Sequence, residues 1–399
     1  MASTEPIVAQ SKIVSIYKKG ISLLSKDYLF YLKPSFRFQT RFETAGDLAG
    51  NDEWDSNFIL RRARLKFDGW MLSPELVYKV ELGISPKDLK PTADLMEAGG
   101  AAKIILDAVV KWTFVGKHNG RNRMSIWFGQ TKLPGNRQRL VSSQKLQFVD
   151  RSSVNSTFNL DRDIGLQLHS KFSLGKFVVK PIFAFAKGEG RNILSNNIGG
   201  FSYTGKLELL PMGEFAKKGD YSEADLKREP KPKLALAGTF NYNRNGARQK
   251  QTGVFLIDTA GEYLTNDALT VFADMMFKYR GFSLLAEYAM RKTLLGTGQS
   301  LSATDSTVVS ISGKSVYTGQ GINVQAGYVF KKNWEVAARY ATIIPDWSGS
   351  FTGSNEYTLC ISKYVVGHRL KVQTDVTLID SFGANDHDLR YRFQMEFAF

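Results

Sequence analysis

The 399-residue chain holds one cysteine, Cys360, which excludes an intrachain disulfide framework and a cysteine-rich metal centre. It has no run of about 18 or more uncharged apolar residues, so it cannot cross a membrane with helices. Its four histidines, His118, His169, His368 and His387, are far apart and lack the His-x-x-x-His spacing of a metal site, so no metal or other cofactor is expected. Acidic residues are scarce, 38 against 53 lysines and arginines, which leaves a net charge of +15. That excess raises nucleic acid as a partner. The cations are spread over many short segments instead of being gathered in a recognition module, and nucleic acid is set aside. Nor is the chain poor in hydrophobic residues: at 43% apolar it is too hydrophobic for disorder. Its length fits two or three soluble domains or one large barrel. Met1-Ala-Ser-Thr-Glu-Pro carries neither a basic n-region nor an apolar h-region. Taken literally this start is cytosolic, while removal of a leader would leave the same start, so the rest of the chain must decide.

What the chain has in abundance is alternation. Leu389, Tyr391, Phe393, Met395, Phe397 and Phe399 alternate with Arg390, Arg392, Gln394, Glu396 and Ala398, a strand with one apolar and one polar face. Phe36, Phe38 and Phe42 alternate in the same way with Arg37, Gln39, Arg41 and Glu43. Comparable segments fall near 28–43, 57–70, 74–84, 104–116, 124–132, 162–172, 176–187 and 201–210. The second half adds 233–243, 267–279, 281–292, 318–330, 333–343, 355–365, 369–379 and 388–399. These make about sixteen strands, each near the ~9–11 residues that a tilted strand needs to cross a bilayer.

The connections sort by length. Those at 85–103, 133–161, 244–266 and 293–317 are long, while those at 71–73, 173–175, 280, 331–332 and 366–368 are tight. Long loops on one rim and short turns on the other mark a bacterial outer-membrane barrel. The connection 211–232 breaks the rule, being long where a short turn is due. One strand face is apolar, as in Leu65, Phe67, Leu76, Tyr78, Val80, Leu82, Leu106, Val110, Trp112 and Phe114, with aromatics near strand ends. The other face is too charged for a packed core, so the apolar face must meet lipid. The expected fold is an all-β transmembrane antiparallel β-barrel at 28–399, in the outer membrane of a Gram-negative bacterium, with its signal peptide removed. Residues 1–27 are expected to be a partly loose periplasmic arm, with a short strand near 13–20. A soluble β-sandwich is the rival fold, but its strands are usually shorter.

Several ordered pieces resemble the phosphate-selective porin O and P family from about residue 20 to the end. They are Arg61-Arg-Ala-Arg-Leu-Lys-Phe-Asp-Gly-Trp70, Tyr78-Lys-Val-Glu-Leu-Gly83, Gly129-Gln-Thr-Lys132, Phe148-Val-Asp-Arg-Ser152 and Arg162-Asp-Ile-Gly-Leu-Gln167. Lys218-Gly-Asp-Tyr221, Lys231-Pro-Lys-Leu234 and the terminal Phe399 complete the set. The resemblance implies a sixteen-stranded homotrimeric channel with an inward-folded third loop and a basic, anion-attracting passage.

Placing the polar face inside gives about eighteen cations against roughly eleven acids, and rings of Arg and Lys favour anions. Arg62, Arg64 and Lys66 share one face of the second strand, and Arg37 and Arg41 share it from the first. The competing reading is that Glu43, Asp68 and Glu81 neutralise them. A second cluster is Lys132, Arg137, Arg139, Lys145 and Arg151, in and just before a connection, 133–161, too long for a simple link. By resemblance this connection is the constriction loop, with Lys132 nearest the narrowest point. The expected function is passive, anion-preferring diffusion of phosphate or a related oxyanion, without catalysis. The alternatives are the same barrel with another solute, such as organic acids or small nutrients, or a structural barrel that docks a partner through 211–232. A Ser–His hydrolase is disfavoured because His169 and Ser170 are adjacent and face opposite ways.

Overall fold

The structure, a computed structural model, describes residues 12–13, 21–48, 50, 53–90, 102–194, 200–251, 253–256, 263–294, 315–346, 351–384 and 387–399. Among these, sixteen strands form the wall. The first eight are β1 (Phe30–Asp47), β2 (Asp55–Met71), β3 (Ser73–Gly83), β4 (Ile105–Gly116), β5 (Arg123–Lys132), β6 (Arg162–Leu174), β7 (Phe177–Ala186) and β8 (Ser202–Leu210). The rest are β9 (Lys233–Gly246), β10 (Asn266–Tyr279), β11 (Phe282–Leu294), β12 (Gly319–Val329), β13 (Trp334–Pro345), β14 (Ser354–Tyr364), β15 (Leu370–Ser381) and β16 (His387–Ala398). Each pairs antiparallel with the next. β16 returns to β1, with Phe393 opposite Phe42 and Phe397 opposite Phe38. Closure leaves no unpaired strand edge, the condition for a sheet to sit in lipid.

The sixteen strands and their alternating faces match the sequence reading, although β1 runs four residues past its expected end. Large apolar side chains point outward: Phe58 is 82% exposed, Leu359 66% and Phe128 64%. Outward aromatics meet across the seam, Phe36 against Phe399 at 5.8 Å and Phe38 against Phe397 at 5.6 Å. Most of the expected N-terminal arm, including nearly all of the strand expected near 13–20, lies outside the described residues. So do parts of the long connections at 85–103, 244–266 and 293–317.

Strict alternation fails at bulges. Gln39 faces Arg62 and Thr40 faces Leu60, so Arg61 is the extra residue of β2. Glu81 faces Asp107 and Leu82 faces Ile105, so Leu106 is the extra residue of β4. A bulge turns consecutive side chains toward the same side. Leu106, expected on the lipid face, is therefore buried at 3% exposure and faces the interior. Arg61 joins Arg62 on the inside for the same reason.

Among the described residues three short helices lie within the connections: α1 (Pro86–Leu89), α2 (Arg137–Leu140) and α3 (Ser153–Phe158). Ser152 caps α3, its hydroxyl accepting from the Asn155 N–H. Inside the wall, Leu133, Val154, Phe158, Leu160, Phe272, Ala289, Ala341 and Ile343 form one apolar cluster. Gly321 on β12 makes room for it, since a Cβ there would lie 3.1 Å from both Phe158 and Val154.

Candidate functional site: a cationic cavity in the barrel

Two connections are bonded to the inner wall, one from each rim. In 133–161, Arg137 is fully buried, with Nη2 3.1 Å from Glu208 and Nε 2.5 Å from Asp274. The Gln138 N–H donates to Glu287 at 2.7 Å, Gln147 Nε2 to Glu335 at 2.6 Å, and the Val149 N–H to Asp375 at 3.1 Å. These partners stand on β8, β10, β11, β13 and β15, while Arg37, Arg41, Arg61 and Arg62 on β1 and β2 bond to Ser143 and Asp150 at its other flank.

The connection 211–232 is held from the short-turn rim. Lys278 donates to the carbonyls of Gly219, Ser222 and Ala224 at 2.9, 2.6 and 2.9 Å. Asp220 pairs with Lys180 at 2.6 Å, and Asp225 accepts from the Gly281 N–H at 2.8 Å. The two segments then meet. The Glu223 N–H donates to the Lys145 carbonyl at 3.1 Å, and the Glu223 carboxylate accepts from the Gln147 N–H at 2.7 Å. With Asp220, Glu223, Asp225 and Glu229 all buried, 211–232 shows only part of itself to a partner, including Met212, Glu214 and residues 216–218.

The space left is a cavity of about 1130 Å³, with strands β1–β7 contributing most of its wall together with both segments. It reaches the short-turn rim at Asn119, Lys217, Arg369 and Phe399, and the inward segment at Lys132, Arg139 and Arg151. Among the described residues its lining holds twenty lysines and arginines against seven aspartates and glutamates. Buried cations of this kind persist only when polar groups solvate them, and here backbone carbonyls and carboxylates do so.

Of the ten cations singled out in the sequence, Arg37, Arg62, Arg64, Lys66, Lys132, Arg139 and Arg151 line this cavity, and Arg41, Arg137 and Lys145 do not. Arg37 reaches Glu396 at 3.4 Å and the Ser143 hydroxyl at 2.8 Å. Arg41 pairs with Glu43 at 2.8 Å and Asp150 at 3.1 Å. Arg62 pairs with Asp150 at 2.9 Å and donates to Gln39 at 2.8 Å. Arg64 pairs with Asp88, Lys66 with Asp68, and Arg139 with Asp161. Lys132 donates to the carbonyls of Arg139, Leu140 and Val141 at 2.6, 3.3 and 3.4 Å, closing the end of α2. Arg137 is set apart: it is an anchor between two carboxylates, shut off from the cavity.

The residue that organises this cluster is Asp150. Its carboxylate accepts from Arg41, Arg61 and Arg62, three guanidiniums from two adjacent strands. Burial alone would raise its pKa, but Arg62, Arg61 and Arg41 outweigh burial and hold the carboxyl well below its ordinary range. Composition and alternation did not single out Arg61, Asp150 or Arg162, whose guanidinium meets Asp107 at 3.1 Å. All three stand in the pieces that carry the family resemblance, which was the available signal. Lys111 and Trp127 form another wall element: the ammonium lies 3.7 Å from the ring centroid, and His169 stacks on the same indole at 3.7 Å.

A sequence profile described as phosphate-selective porin O and P matches residues 35–376. No curated protein sequence matches the chain. Among solved structures, an anion-selective porin from Comamonas acidovorans is similar at TM-score 0.54 and 12% identity, covering 93% of this chain and 100% of its own. The outer-membrane channel DcaP of Acinetobacter baumannii follows at 0.53 and 12%, covering 94% and 99%. A loop-deletion mutant of OmpT, an outer-membrane protein of Vibrio cholerae, follows at 0.51 and 12%, covering 92% and 99%. At these identities the likeness is one of fold: a closed sixteen-strand porin barrel.

Proposed function

The chain belongs to the phosphate-selective porin O and P family, and from that premise we propose that it is an anion-preferring diffusion channel whose favoured solute is phosphate or a related oxyanion. One observation carries the reading: the cavity lining holds twenty basic side chains and seven acidic ones. A lumen with that imbalance draws anions in and repels cations, while many shallow sites let the solute leave. The cations that carry the preference are Arg37, Arg61, Arg62, Arg64, Lys66, Lys132 and Arg139, with Arg41 acting through Asp150. Guanidiniums offer the planar fork that matches phosphate oxygens, and ammoniums add field without direction. The segment 133–161 narrows the passage, the rim with short turns faces the periplasm, and the barrel works as a homotrimer in the outer membrane.

Planar-bilayer recording with ion substitution tests this. Chloride current should exceed potassium current, and millimolar phosphate should block it. Cation selectivity would overturn the reading. Anion selectivity without phosphate block would move the favoured solute to organic acids or small nutrients.

A further inference from the structure

A second cavity, of about 30 Å³, shares no lining residue with the first. It lies where the ends of β9, β10 and β11 meet the connection that follows β9, and its described lining includes Arg248, Lys250 and Arg291 but no aspartate or glutamate. Arg291 is only 3% exposed. Its Nε donates to the Thr270 hydroxyl at 3.0 Å, and its Nη atoms to the Thr157 and Phe158 carbonyls at 3.4 and 2.7 Å. Lys250 donates to the Ser156 carbonyl at 2.5 Å. Among the described residues neither cation has a carboxylate within salt-bridge distance. Arg248 differs, being engaged by the Gly253 carbonyl at 2.9 Å and by the charge of Glu189. Asn266 is 8% exposed, and its side-chain nitrogen has no hydrogen-bond partner among the described residues.

These facts leave a surplus of positive charge and a donor with nothing to bond. The carbonyls at the end of α3 supply at most about half a negative charge, against two full positive charges. A buried donor without an acceptor is costly, and a buried cation without a counter-charge more so. A water molecule needs about 10–15 Å³ by this measure, so the cavity has room for one small anion and none for an organic acid. We propose that a halide ion, chloride in the cell, is held between Lys250, Asn266 and Arg291. There it acts as a fixed counter-ion that fastens the connection after β9 to the inward segment 133–161. It is a structural site, separate from the path of the diffusing solute.

The test is anomalous diffraction from the full chain purified in detergent and crystallised from sodium bromide. The expected result is a bromide peak within about 3.5 Å of Lys250 Nζ and Asn266 Nδ2, lost in Lys250→Met and in Asn266→Leu. Wild-type chain should also unfold at a higher temperature in chloride than in gluconate at equal ionic strength, a difference that either variant abolishes. Bilayer selectivity should be the same in both variants as in wild type. Absence of the peak, a peak that survives both substitutions, or a carboxylate of the chain found in its place would overturn the proposal. The two variants are independent, so failure of one to fold leaves the other to decide.

Discussion

Arg62 serves two partners at once, Gln39 at 2.8 Å and Asp150 at 2.9 Å, so its charge reaches the cavity already half-matched. The pairing within this cluster changes what neutralisation should do. A unit charge about 8 Å from a permeating ion in water is worth roughly 0.5 kcal/mol, about twofold in the permeability of either ion. Lys132, which donates only to carbonyls, should show that full loss: Lys132→Met is expected to lower the anion-to-cation permeability ratio about fivefold, because attraction of the anion and repulsion of the cation are both lost, read from reversal potentials. Arg64→Gln should do at least as much, because the Asp88 carboxylate it leaves unpaired then bears on the cavity with its own negative charge. Asp150→Asn acts in the opposite sense and at a cost. It leaves three guanidiniums facing one another, and breaking a buried ion-pair network costs about 3–5 kcal/mol. The expected outcome is a lower midpoint in urea unfolding together with a stronger anion preference. The sequence made the cations legible because alternation assigns faces. It could not assign partners: Glu396 meets Arg37 from the far end of the chain, and Asp150 reaches β1 and β2 only through the fold of its segment.

At the scale of the element, two strands depart from the alternation that predicted them. In β2 and β4 a single extra residue, Arg61 or Leu106, reverses the expected face, which periodicity cannot anticipate because the bulge is set by pairing with a neighbour. The segment 133–161 could be read as long and basic. Its bonds to β8–β15 are tertiary and leave no local signal, apart from small residues such as Gly321 on the wall it touches. Gly321→Val should displace α3, because branched methyl groups would enter space held by Phe158 and Val154. Single-channel records should then show added open-state noise. Phe158→Ala should have the same effect by the opposite route, emptying the cluster at a cost of about 3–5 kcal/mol. The connection after β7 supplies a pH test. Burial raises the pKa of Glu189 from 4.5 to about 7, with the Arg248 charge opposing the rise. Its folded form holds its proton where an unfolded chain would have lost it, so that part of the connection's stability is whole below about 4.5. It falls as pH climbs to about 7 and stays level above. Hydrogen exchange of nearby amides should follow that course, and Glu189→Gln should flatten it.

At the scale of the whole molecule the proposed preference rests on the field in the cavity more than on any one contact. Raising ionic strength from 0.1 M to 1 M shortens the screening length from about 10 Å to about 3 Å. Reversal potentials should therefore show a weaker anion preference in concentrated salt, and a preference that stayed constant would point to size selection instead. The barrel as a whole was the most legible part of the chain, since sixteen alternating segments and sorted connections are repeated signals that tolerate an error of a few residues in each. The least legible part was how the interior is shared. Because 133–161 and 211–232 fill the interior except for the cavity walled mainly by β1–β7, the proposed route for solutes is off-centre, and circumference and throughput are uncoupled. Unitary conductance should then fall well short of what an open cylinder of sixteen staves would carry. Shortening 211–232 should enlarge it with no change in strand number. Family members with the same girth are thus free to differ widely in flux through the stuffing of one flank alone.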